Sequence, residues 1–161
     1  MNKLLWFLFF VLVLSLSRII PHPPNFTPIL AVAIFAPLVI TNIWAVILGV
    51  LCAMLIADFY YGLHSYMIWT YSTIAISTLM ATRIKLLPMM FISPILFFVI
   101  TNFAVWTSGY YGYTLVGLVA CYTAAIPFFS MTLLSTIFYT SCFYLLYKAT
   151  YLLKTPTSSF W

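Results

Sequence analysis

The chain carries one acidic side chain, Asp58, and it lies inside a long apolar run. A carboxylate at helix depth in a membrane costs about 2.5 to 3.5 kcal/mol, so such an acid is kept because it is paired or because it works. Two chemistries fit Asp58: a cap or structural partner of Arg18, and a hydrogen-bond acceptor or countercharge in a binding pocket. His22 and His64 fall on the same side of the apolar runs as Asp58. The three together form a candidate ligand set for a metal or a corrin, but no H-x-x-x-H or comparable spacing backs it, and each histidine reads better as a hydrogen-bonding loop residue. No Ser-His-Asp or Cys-His grouping has the setting of a nucleophilic site, and no glycine-rich loop is present to cradle a phosphate. The expectation is a protein that is not an enzyme, with no metal and no cofactor. Cys52, Cys121 and Cys142 sit in apolar runs without C-x-x-C spacing and read as free thiols.

The remaining polar chemistry is concentrated in three aromatic-rich segments, PHPPNFTP (residues 21–28), ADFYYGLHSY (57–66) and TNFAVWTSGYYGY (101–113). Their Tyr and Trp residues suit an interfacial belt, and the same rings make pocket walls with polar tips when amides and hydroxyls lie among them. The residues expected to line such a pocket are Asn25, Thr27, Asp58, His64, Asn102, Trp106 and Tyr122.

The elements that must position these residues are helices in a membrane. The chain has 161 residues, of which 66% are hydrophobic and 4% charged, and its mean hydropathy is +1.18. It cannot cover a soluble domain with polar surface. Continuous apolar runs exceed the ~17 residues a membrane helix needs and do not alternate as barrel strands do. The fold class expected is an all-α integral membrane protein, a bundle of about six transmembrane helices with a short second helix, forming one domain over residues 1–161. The spans fall near residues 4–20, 29–40, 43–59, 66–82 and 86–106, with the sixth starting between Leu115 and Cys121 and ending near Tyr147. Pro127 is expected to kink the last. Ala45, Gly49 and Ala53 give the third a close-packing face.

Six spans place all three polar segments on one side and both termini on the other, with Lys3, Arg83, Lys85, Lys148 and Lys154. The positive-inside rule makes that basic side cytoplasmic. Only Arg18 stands opposed, as a snorkelling side chain or a pocket cation. The net charge of +5 comes from scattered bases, not a patch or stripe, so no nucleic-acid partner is expected.

The motifs R-x-x-P-H-P-P-N-F-T-P-I (residues 18–29), A-D-F-x-x-G-x-H (57–64), T-N-F-x-V-W (101–106) and C-Y-x-A-A-I-P-F-F (121–129) resemble those of a family of small uncharacterised bacterial inner-membrane proteins. That resemblance implies the bacterial cytoplasmic membrane. More distantly, the layout is similar to the substrate-binding S components of energy-coupling-factor vitamin transporters, which have six helices, a Pro-rich first outer loop, a short second helix and an outward pocket. It implies capture of a vitamin or other small organic micronutrient and docking on a shared ATPase module. The first helix departs from the A-x-x-x-A docking pattern of S components, offering only Ser15 and Ser17 among bulky residues.

The leading expectation is therefore a membrane-embedded protein that binds a small-molecule ligand for uptake, its partners being the lipid bilayer and a coupling module. The alternative is a structural or assembly subunit of a larger membrane complex, which suits the low charge and the small-residue face of the third span.

Overall fold

A computed structural model describes residues 2–152, and every regular element among them is helical. Helix α1 covers Lys3–Ile19, α2 Ile29–Phe35, α3 Ile43–Tyr61, α4 Met67–Met80, α5 Leu86–Thr107 and α6 Leu115–Leu152. Local chemistry explains the boundaries. The Asn2 side chain caps α1 by accepting from the Leu5 amide at 2.8 Å. That helix stops at Ile20, which is extended because Pro21 follows. Helix α2 begins after Pro28, and a single 3₁₀ turn, Ala36–Leu38, carries it through Pro37. Asn42 caps α3 through the Ala45 amide, and Gly62, at φ 106°, ends it in a conformation that suits glycine.

The long helices run up and down around α2. Every residue of α2 is buried, packed among the other helices. Trp6, Phe10 and Leu14 of α1, Val46, Val50 and Met54 of α3, Ile74 of α4 and Phe143 of α6 close around it. The ring of Phe35 stands 5.8 Å from that of Phe143 and 6.0 Å from that of Trp6. Gly49 lets α1 and α3 approach: a methyl group there would meet the Phe7 ring at 2.6 Å. The small-residue face expected of the third span is therefore occupied within the chain.

The outward faces are as apolar as the core. Leu4, Leu8, Leu12 and Leu16 form a stripe on α1 that is 45–63% exposed, while the inward face holds Trp6, Phe10 and Leu14. A helix that is hydrophobic all round belongs in a core or in lipid. Three helices, α3, α5 and α6, are long and apolar enough to cross a membrane. Helices α1 and α4, at 17 and 14 residues, are shorter.

Helix α6 is one continuous element of 38 residues. It runs through Pro127 and ends beyond Tyr147, longer than the expected sixth span. At ~1.5 Å per residue it measures about 57 Å, against a hydrocarbon core of ~30 Å.

The basic residues collect at one end. Lys3 donates to the Thr41 hydroxyl at 3.0 Å, the Trp6 and Tyr147 rings lie 6.4 Å apart, and Met89 and Met90 pack with Met80 and Ile84. These contacts bring Lys3, Arg83, Lys85 and Lys148 to one end of the bundle, with Arg18 at the other. Lys154 lies outside the described residues.

Candidate functional site

Because α2 is short, it fills only part of the bundle's central column. The rest of that column is a cavity of about 490 Å³. Ile29 and Leu30, at the start of α2, lie at its floor, and the loop between α1 and α2 forms one wall. The loop is held in shape by its own sequence. Asn25 takes a positive φ of 63°, a conformation that asparagine tolerates better than most residues. The Phe26 amide donates to the Pro23 carbonyl at 3.0 Å, and the Phe26 ring lies 5.7 Å from Tyr139 on α6.

Arg18, at the end of α1, supplies the cavity's fixed positive charge. Its Nη2 donates to Asp58 Oδ1 at 2.5 Å, and the Tyr71 hydroxyl donates to Asp58 Oδ2 at 2.6 Å. Tyr61 ties the ends of α1 and α3 together by donating to the Arg18 carbonyl at 2.8 Å. Asp58 itself is 2% exposed. Both its oxygens are used, so the acid holds the arginine in place and does not line the cavity. A guanidinium carries five N–H donors, and only the one on Asp58 has a side-chain partner among the described residues. The others have no side-chain partner among those residues, and Arg18 lines the cavity.

Most of the hydroxyls around the cavity, Thr27 excepted, have spent their protons. Thr70 donates to the Tyr66 carbonyl at 3.2 Å and Thr132 to the Phe128 carbonyl at 2.9 Å, each one turn back on its own helix. Their oxygens keep lone pairs, so these groups face a ligand as acceptors. His22 lines the rim, where its Nδ1–H donates to the Ile20 carbonyl at 2.8 Å, which leaves Nε2 as an acceptor in the neutral ring. A smaller cavity of about 270 Å³ adjoins the first and shares Asn25, Phe97 and Thr132 with it.

The seven residues expected from the sequence fall in different places. Asn25 and Thr27 line the larger cavity, and Asn25 and Asn102 the smaller. Asp58 reaches the site only through Arg18. His64 is exposed, its ring 6.4 Å from that of Tyr66. Tyr122 donates to the Val99 carbonyl at 2.6 Å and fastens α6 to α5. Trp106 packs on Phe103 at 5.6 Å and Tyr113 at 6.3 Å, and its buried Nε1–H has no partner among the described residues. These last three line neither cavity.

The α6 wall was missed. Thr132, Ser135 and Thr136 stand at i, i+3 and i+4, so they share a helix face. That spacing is a readable signal of a hydroxyl-bearing face in an otherwise apolar span.

Compared with known proteins, the chain matches no curated protein and no solved structure. A family model does match, over residues 1–158, and the chain therefore belongs to DUF6580, a family of unknown function.

Proposed function

We propose that this protein is a membrane-embedded substrate-binding protein, of the S-component type, that takes up a small organic micronutrient from the extracytoplasmic side. The observation that carries the reading is the cavity above α2. Its volume, about 490 Å³, falls in the range of small-molecule sites, and its wall mixes apolar side chains with a set of polar ones that includes Arg18, Asn25 and the α6 hydroxyls. Six passages through the bacterial cytoplasmic membrane accompany this reading. The second passage consists of the proline-rich loop followed by α2, because irregular backbone is tolerated at membrane depth where it lines a cavity. The end that gathers Lys3, Arg83, Lys85 and Lys148 faces the cytoplasm with both termini, and the Arg18 end opens outward. The chain has no phosphate-cradling loop, so an ATPase coupling module is the partner that would supply energy.

The test is native mass spectrometry of the full chain extracted in mild detergent with no ligand added. A reproducible small-molecule adduct is expected on the wild type and is expected to vanish in Thr132→Trp, which fills the cavity. Stoichiometric protein subunits without an adduct would replace this reading with that of an assembly subunit.

A further inference from the structure

The inventory of charges and donors around the larger cavity narrows what it can hold. Asp58 is the only acidic residue in the chain, and both its oxygens are engaged, one by Arg18 and one by Tyr71. An amine or other cation entering the cavity would find no free carboxylate and would stand against the Arg18 guanidinium. A carboxylate would find Arg18 already neutralised at 2.5 Å. It would add a second negative charge next to Asp58, in a partly desolvated site where like charges repel strongly.

An uncharged carbonyl oxygen meets neither penalty. It accepts from the N–H donors that Arg18 has left over, and a hydrogen bond with one ionised partner is stronger than a neutral one. The Asn25 amide and the Thr27 hydroxyl also line the cavity, with no hydrogen-bond partner for either side chain among the described residues. The oxygens of Thr70 and Thr132, also in the cavity wall, keep lone pairs that call for donors. A neutral ligand that carries both carbonyl acceptors and N–H donors matches this set. Its remaining edges meet the apolar Leu30, Ile74 and Phe97, and also Tyr61, Ser135 and Thr136, whose hydroxyls donate to backbone carbonyls and so face the ligand as further acceptors.

We propose that the cavity binds an uncharged amide or ureide, with Arg18 and Asn25 holding its carbonyl oxygens and the hydroxyl oxygens of Thr70 and Thr132 accepting from its N–H groups. This rests on the substrate-binding reading and names the chemical class of that substrate.

The experiment uses the full chain in mild-detergent micelles and two matched pairs of probes, nicotinamide against nicotinate and uracil against orotate. In each pair the ring is kept and the charge changes. Titration calorimetry is expected to show the neutral member binding at least about tenfold more tightly than its anionic twin, the effect of repulsion between the added charge and Asp58. Arg18→Lys keeps the ion pair with Asp58 but loses the planar fork, and is expected to weaken the neutral probes about tenfold while the protein stays folded. Thr132→Trp is expected to abolish binding. Tighter binding of the anionic twins, or of neither member, overturns the amide assignment. The mass-spectrometric adduct judges the substrate-binding reading separately, because it requires no choice of probe. Binding that survives Thr132→Trp overturns the cavity as the location.

Discussion

Asp58 is where one side chain decides the most. Removing it as Asp58→Ala leaves Arg18 facing the core without its countercharge. Breaking a fully buried pair from one side costs about 3–5 kcal/mol, and Arg18, whose side chain is 22% exposed, can rehydrate from the cavity, so a loss of about 2–3 kcal/mol is expected. Denaturation in mixed micelles measures it, and the double change Arg18→Met with Asp58→Leu should recover most of the loss. Tyr71→Phe removes one hydrogen bond to a charged acceptor and should cost about 1.5 kcal/mol in the same assay. The pairing of Asp58 with Arg18 was legible in the sequence as one of two alternatives, because the chain holds one acid and one base away from the basic side. The part of Tyr71 was not. It stands in a run of residues with the same character, and only the packing of α4 against α3 selects it.

Among the elements, boundaries were legible and depths were not. Prolines 21, 28 and 37 mark where α1 ends and where α2 starts and tightens, and Asn42 and Gly62 bracket α3. These are local effects of backbone chemistry. What a helix faces is a non-local matter. The 57–66 and 101–113 segments meet the proline-rich loop only in part: Tyr61 lines the larger cavity and Thr101 and Asn102 the smaller, while His64 and Trp106 line neither, nor does Tyr122, and Thr132 lines both. Hydropathy separates polar from apolar stretches but cannot rank the faces of a helix whose every face is apolar. Pro127 lies within α6 and does not end it. The α1–α3 contact gives a sharp expectation at this scale. Gly49→Leu drives a side chain into Phe7 and should cost about 1–3 kcal/mol through overpacking. Adding Phe7→Ala should restore part of that, a coupling that mixed-micelle denaturation of the two single variants and the double variant would reveal. If Gly49 instead faced a partner subunit, Phe7→Ala would rescue nothing.

For the molecule as a whole, the arrangement of charge makes the expectation. Among the described residues, Lys3, Arg83, Lys85 and Lys148 gather at one end and Arg18, bound to a buried acid, stands at the other, and from this the positive-inside rule predicts an orientation. In a cysteine-free background, a membrane-impermeant maleimide applied to intact cells should label Ser65→Cys and Ser108→Cys and leave Thr82→Cys untouched. The reverse pattern would turn the cavity toward the cytoplasm and end its reading as an uptake site. The half-length of α2 has a further consequence, for how the protein is made. Ile29 to Leu38 is too short to cross a bilayer alone, and the surface it lies against includes α6, which leaves the ribosome after α1 to α5. During synthesis, this segment lacks the part of its burial that α6 supplies until that helix arrives. A nascent chain halted before Leu115 would therefore display a partly unburied apolar segment and a polar loop at the same place, a form that membrane proteases are well suited to remove.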